Sequence, residues 1–412
     1  MTPEQAEAYL LDLELFGMRF GLDRMHKLMT ALGMPQRRFA SIHVVGSNGK
    51  SSTVRMIAAI LERHGVRTGS YTSPHLRSFA ERIEVGETPV PPTDFAAAVA
   101  RARHAAELVD RTAPDGDEVT QFEALTAAAY HELARRGVEV AVIEAGLGGR
   151  YDATNVIPSK VQVLTAVGLE HTRWLGPTLT HIAEEKLDVV RDHATLVTGD
   201  LPPEAEAVVE RVASERNARL VRAPSDPGVP PLRARGAFQR RNFALARAAA
   251  EAFLGELDDA AVRAAAAELE IPGRLQVVAD GPLVVHDGAH NPAGAAALAE
   301  ALPEVLEGRL LVGVFAVLED KDAAGMLSAL LPLCERAVFT RSLNPRSLPP
   351  ATLETLAAKL GGPPSETARD PESAVARAVE LAGPQGAVLA TGSIYLVADL
   401  ARGHVGARAS TM

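Results

Sequence analysis

A chain of 412 residues is too long for one comfortable hydrophobic core, so two or three domains are expected. Hydrophobic residues at 47% and charged residues at 23% are an ordinary soluble balance, and a net charge of −10 without a basic tail excludes a general nucleic-acid surface, though not one locally held phosphate ligand. The single cysteine, Cys334, excludes an internal disulfide or a cysteine-built metal centre, and neither a signal-peptide pattern nor an apolar run of roughly 18–20 residues is present, so a cytoplasmic protein with no membrane partner is expected.

Short β-branched runs recur along the chain: "IHVV" (42–45), "VEVAVIEA" (138–145), "VQVLTAV" (161–167), "PLVVHDG" (282–288), "RLLVGVFA" (309–316) and "AVLATG" (387–392). Between them, apolar residues at helical spacing predict helices over 52–64 and 121–135. Runs without polar alternation are what strands buried on both faces look like, so the fold class is α/β, with parallel sheets flanked by helices. "APSDPGVPP" (223–231) reads as an extended loop, and a new strand–turn–helix series starts at "IPGRLQVV" (271–278). The expected division is a first domain of 1–271 and a smaller, Rossmann-like domain of 272–412.

The first run leads into "HVVGSNGKSST" (43–53). Strand, glycine turn and helix is the context of a phosphate loop: glycines let backbone N–H groups approach the anion, and the helix N-terminus adds favourable partial charge. The ordinary G-x-x-x-x-G-K-[ST] spacing needs a glycine at 44, where Val44 stands. Only Ser47 and Asn48 separate Gly46 from Gly49. Lys50 is placed to reach terminal phosphates, and Ser51 or Ser52 to bind Mg²⁺. A plain turn with an exposed lysine is the competing reading of this segment alone.

Further strand ends carry polar groups in the same way. Ser73, Pro74 and His75 follow the strand within 67–86, Glu144 ends the run at 138–145, and His171 follows 161–167. Open parallel sheets bind ligands at the carboxyl ends of their strands. Hydroxyl, carboxylate and imidazole around phosphates make a reasonable Mg²⁺ site of the kind completed by substrate oxygens. Each residue alone has a bland reading as a turn, a solvated acid or a loop histidine; their recurrence at one sheet edge does not. Lys186 in "HIAEEKLDVV" reads by itself as a solvated lysine on a charged helix. Asn291–Pro292 in "DGAHNP" reads as an N-cap and first-turn pair.

These segments resemble the folylpolyglutamate synthase/dihydrofolate synthase branch of the Mur ligase superfamily. The likeness runs through "FGMRFGLDRMHKLMTALGMPQ" (16–36), the short glycine turn, "YTSPHLRSFAERI" (71–83), "EAGLGGRYDATN" (144–155), "GLEHTRWLG" (168–176), "QRRN" (239–242), "PGRL" (272–275), "DGAHNP" (287–292), "DKD" (320–322) and "TGSIYLV" (391–397). The resemblance implies a P-loop-containing, parallel-sheet ATPase domain joined to a C-terminal glutamate-ligase domain. It implies ATP- and Mg²⁺-dependent addition of L-glutamate to dihydropteroate or a reduced folate through an acyl phosphate, by an enzyme expected to be a monomer. It further implies that Ser73, Glu144 and His171 hold Mg²⁺, that Lys186 is carbamylated, and that Asn242 meets adenine. Arg274 should approach the phosphates and Asp287 the ribose. His290 and Ser393 should sit near the incoming glutamate, with Arg24, Pro74 and His75 on the pterin side.

Three positions depart from the family's usual pattern: Ser51 in place of glycine, Ala80 in place of asparagine and Phe238 in place of histidine. The alternative is a cell-wall Mur ligase acting on a UDP-muramyl substrate, against which "SPHL" and the short stretch before residue 43 argue.

Overall fold

The computed structural model describes residues 1–13, 21–114, 117–224, 228 and 230–403. Residues 16–20 of the N-terminal motif, 225–227 and 229 of the proline-rich loop, and the last nine positions of 272–412 lie outside the described residues.

The first sheet contains β1 (Ala40–Val45), β2 (Thr68–Tyr71), β3 (Ile83–Val85), β4 (Thr88–Pro89), β5 (Val140–Glu144), β6 (Val161–Leu164), β7 (Thr195–Thr198) and β8 (Arg219–Arg222). Their order is β4-β3-β2-β5-β1-β6-β7-β8. The pairs from β2 to β8 are parallel, while β3 and β4 add an antiparallel edge. The second sheet contains β9 (Gln276–Asp280), β10 (Leu283–His286), β11 (Leu311–Phe315), β12 (Arg336–Phe339), β13 (Ser365–Thr367) and β14 (Ala387–Thr391), in the order β13-β12-β11-β14-β10-β9. Here only β9 runs antiparallel to its neighbour.

The apolar runs become the central strands of both sheets, where helices cover both faces. The Lys50–Arg63 helix shows how the site is held. Its Val54, Ile57, Ala58 and Leu61 are buried and share one core with Phe243, Ala246 and Ala250 of the Ala237–Leu254 helix. On the other sheet face, Met25, Leu28, Val99 and Tyr130 belong to a separate core. The phosphate turn therefore stands on a strand and a helix that are each buried, and it cannot move without disturbing them.

The short edge strands β3, β4, β8, β9 and β13 were not among the predicted runs. β4, β8, β9 and β13 are two to five residues long and exposed or half-buried over most of their length, and β3, though buried at two positions, is only three residues long, so none carries a continuous apolar signal. Among the described residues, no helix is long and apolar enough to cross a membrane.

Candidate functional site

Gly46 and Gly49 give the turn its shape. Gly46 has φ +148°, and a Cβ there would meet Thr165 Oγ1 at 2.0 Å; Gly49 has φ +84°, and a Cβ would meet Asn242 Oδ1 at 2.4 Å. The turn is closely packed between the end of β6 and the Ala237–Leu254 helix, and only glycine fits both places. Thr165 donates its hydroxyl to Asn48 O at 2.6 Å, and Ser47 Oγ accepts from Gly168 N at 3.0 Å. Asn242 Nδ2 donates to Gln239 Oε1 at 3.0 Å, so its other amide atom is left against the turn.

Glu144 ends β5 level with Val44 of β1. Its two carboxylate oxygens are used separately: Oε1 accepts from Ser51 Oγ at 2.9 Å and Oε2 from Ser73 N at 3.1 Å. Ser51 also lies 3.4 Å from Ser73 O. Ser52, by contrast, is buried inside the helix. Burial raises the Glu144 carboxyl, opposed first by Lys50.

A second charged group meets the turn from the other side. Lys50 Nζ donates to Gly46 O at 2.9 Å, and Lys186 Nζ donates to the same carbonyl at 3.0 Å. Lys186 also pairs with Glu170 at 2.9 Å. Its side chain is 2% exposed, which corrects the reading of Lys186 as a solvated helix lysine. Helical charge spacing is two-dimensional information, and the face of the Leu179–Leu187 helix that carries Lys186 packs inward. Burial would raise the Glu170 carboxyl, but Lys186 and then Lys50 outweigh it and hold it at about 2. Burial pushes the Lys186 ammonium down despite Glu170. A carbamate on that nitrogen would set a second anion against Glu170.

His171, with φ +47°, caps a short helix at the exposed rim, and the enclosing protein and then Lys321 push its imidazole down. After Lys321, the charges of Glu170, Lys50 and Lys186 also act on it, and among the described residues no hydrogen bond joins its side chain to Ser51, Ser73 or Glu144. Among the described residues, no three His, Cys, Asp or Glu side chains are arranged to hold a metal by themselves. One buried carboxylate with two serines beside it fits a hard cation that takes its remaining oxygens from water and substrate phosphate.

The second sheet adds its own carboxyl-edge loops. Asp287 accepts from Leu275 N at 2.8 Å and Ala289 N at 2.7 Å, tying the strand-end loop to the segment that carries Arg274. Arg274 acts electrostatically on Glu144, Asp287 and His290, so it stands between the two sheets. His290 Nδ1 lies 3.0 Å from Gly288 O, and burial and then Arg274 push it down to about 4. Asn291 is the expected N-cap, accepting from Gly294 N at 2.8 Å. It also exchanges amide hydrogen bonds with Asn48 at 3.0 and 3.3 Å, joining the phosphate turn to the second sheet.

The remaining predicted residues have partners of their own. Arg24 bonds Glu123 at 3.0 Å and pairs with Asp117. His75 is buried, accepts from Arg82 Nε at 3.0 Å and packs 4.4 Å from the Phe79 ring, with Pro74 half-buried beside it. Ser393 caps the Ile394–Arg402 helix, accepting from Tyr395 N at 3.1 Å. Glu170, Thr165 and Asn291 were missed as site residues. Glu170 precedes His171 in the same strand-end loop, a signal that was available; the Asn48–Asn291 pairing, 243 residues apart, has none.

Residues 273–394 match the family model for the Mur ligase glutamate ligase domain. Dihydrofolate synthase/folylpolyglutamate synthase of Mycobacterium tuberculosis is 35% identical over 88% of this chain and 84% of its own. The chain belongs to the dihydrofolate synthase/folylpolyglutamate synthase family. The solved M. tuberculosis folylpolyglutamate synthase complexed with ADP superposes with a TM-score of 0.91 at 34% identity, covering 99% of both chains. Escherichia coli FolC in complex with DHPP and ADP gives 0.86 at 29% identity, covering 97% of each. The α/β, Mur-ligase-like fold expected from the segments is the fold observed, and these likenesses do not favour the cell-wall alternative.

Three histidines of this family member, the buried His43 and His286 and the half-buried His290, resist protonation, which contributes to its acid stability profile. Burial lowers His43 to about 3, and lowers His286 and His290 to about 4, from 6.5. Below 6.5 the unfolded chain binds protons there that the folded chain refuses, so stability should fall as pH drops from 6.5 towards 4. Thermal midpoints measured across that window test it; a flat profile would contradict the neutral, buried assignment.

Proposed function

We propose that the chain joins L-glutamate to the carboxylate of dihydropteroate and/or tetrahydrofolate, using ATP. The observation that carries this reading is Lys50 on a glycine turn between two buried carboxylates, Glu144 and Glu170, in a chain of this family. The acceptor carboxylate attacks the γ-phosphorus of ATP, ADP leaves, and an acyl phosphate forms. The deprotonated amine of L-glutamate then attacks the acyl carbon, and phosphate leaves from the tetrahedral intermediate.

Negative charge gathers on the transferring phosphoryl group, so fixed positive charge is needed there. Lys50 supplies it by leaving Gly46 O for the phosphate, while Lys186 keeps that carbonyl occupied and Glu170 keeps Lys186 charged. The turn's backbone, from Gly46 through Ser47, Asn48 and Gly49, cradles the phosphates. Ser51, Ser73 and Glu144 would hold Mg²⁺, with His171 at the rim; bound there, the ion neutralises phosphate charge. The pair with Glu170 supports an ammonium at Lys186, and the proposal takes that form rather than the carbamate. Arg274 approaches the phosphates from the linker, and Asn242 stands on the nucleotide side of Gly49. Asp287 acts through its grip on the Arg274 segment, and His290 faces the incoming amino acid. Residues 1–271 thus supply the folate side and most of the nucleotide side, and 272–412 the glutamate side together with Arg274.

Phosphate release would be measured with ATP, Mg²⁺ and L-glutamate against dihydropteroate, tetrahydrofolate or a UDP-muramyl acceptor. Release is expected with a folate-type acceptor; release only with the UDP acceptor would overturn the reading.

A further inference from the structure

We infer that Asn48 and Asn291 are a positioning pair that couples ATP cleavage to amide formation, an inference that rests on the ligase reading above. In that reading the acyl phosphate forms over the phosphate turn of the first sheet, and the 287–292 loop of the second presents the incoming amine. The amine nitrogen must come within about 3–3.5 Å of the acyl carbon to attack. Two loops on different sheets hold that separation only if something joins them at the site.

The pair joins them through both amides. Asn48 Nδ2 donates to Asn291 Oδ1 at 3.3 Å, and Asn291 Nδ2 donates to Asn48 Oδ1 at 3.0 Å. The orientation is fixed by the helix start: Asn291 Oδ1 also accepts from Gly294 N at 2.8 Å, so that atom must be the oxygen. Its amino group then faces Asn48, which must present its own oxygen. Each partner is held from behind. Thr165 donates its hydroxyl to Asn48 O at 2.6 Å, and Gly46 and Gly49 pack the turn closely. The 287–292 loop is held by Asp287, which accepts from Leu275 N and Ala289 N, and by the Pro292–Leu306 helix that Asn291 caps. His290 is the neighbour of Asn291 in that loop. Both amides are neutral, so the pair sets a distance without adding charge beside the phosphates. Cross-domain bonds away from the turn keep the domains docked when the pair is removed: Arg240 to Glu304 at 3.1 Å, Arg241 to Glu300 at 3.3 Å, and Arg402 Nε to Leu76 O at 3.0 Å.

Water competes with the amine for the same carbon. When the amine attacks, a C–N bond forms, the C–O bond to phosphate breaks and the amine loses a proton, leaving the amide and phosphate. When water attacks, the same C–O bond breaks and the original carboxylate returns, so ATP is cleaved with no amide made. The first outcome needs the second-sheet loop held over the turn; the second does not. Loss of the pair therefore slows amide formation more than phosphate release.

The test measures phosphate released against glutamate incorporated, with ATP, Mg²⁺, L-glutamate and a folate acceptor. In Asn48→Ala and in Asn291→Ser the ratio should rise about tenfold over wild type, the scale of two neutral hydrogen bonds. Serine caps a helix as well as asparagine does, so Asn291→Ser should keep the thermal midpoint while losing its reach to Asn48. The double variant should match either single one, because both remove the same contact. Arg240→Ala, which removes an exposed cross-domain ion pair, should keep the wild-type ratio. A wild-type ratio in either single variant, a further rise in the double one, or an equal rise in Arg240→Ala overturns the pair. Hydrogen exchange reads it without turnover: Asn48→Ala should speed exchange across 287–294, and Asn291→Ser across 46–50. Unchanged exchange in either overturns the pair even if wild type proves inactive on every folate acceptor, a result that would separately sink the ligase reading.

Discussion

Lys50→Ala is expected to lower kcat about a thousandfold or more, the scale of losing a positioned charge from a phosphoryl-transfer site, with little change in thermal midpoint. The residue is half-buried in the first turn of its helix, and its side chain makes one hydrogen bond, to Gly46 O. Removing it leaves the helix's apolar face, the Ser51–Glu144 contact and the Lys186–Glu170 pair in place. What is lost is the cation whose charge acts on both Glu144 and Glu170. Phosphate release with a folate acceptor, alongside thermal melting, measures the two effects separately. Wild-type turnover in this variant would mean that the turn is not the phosphate cradle.

Lys186→Met should damage both stability and activity. It leaves Glu170 buried without its partner, and breaking a buried ion pair from one side costs about 3–5 kcal/mol. Lys50 softens this, because it also acts on Glu170, but in doing so it is drawn from the phosphate position. Adding Glu170→Met should recover most of the stability, since apolar groups of similar volume replace the pair, without recovering turnover. Denaturant midpoints for the three proteins test the first claim and phosphate release the second. A single variant as stable as wild type would show that the pair contributes nothing to the fold.

The parallel α/β architecture was legible because its central strands are buried on both faces and so read as uninterrupted apolar runs. The phosphate turn was legible because its glycines and lysine are adjacent in the chain. Ser73, Glu144 and His171 could be assigned to one sheet edge by the same topological rule. The structure shows Ser73 and Glu144 bonded together with Ser51, while no hydrogen bond joins the His171 side chain to them among the described residues. Strand ends give the edge on which a residue sits, not the neighbour its side chain reaches. Arg24 and Ser393 were legible as motif residues; their partners, Glu123 for the first and the Tyr395 amide for the second, were not.

By itself, then, the sequence determined the α/β class, the glycine turn and the set of polar groups at the strand ends, all of which depend on residues close together in the chain. Tertiary structure alone decided that Ser51 rather than Ser52 meets Glu144, that Lys186 is buried against Glu170, and that Asn48 is joined to Asn291. Each of these depends on which face of a helix or loop packs inward. That choice is made by burial against partners tens or hundreds of residues away, and local pattern carries no record of it.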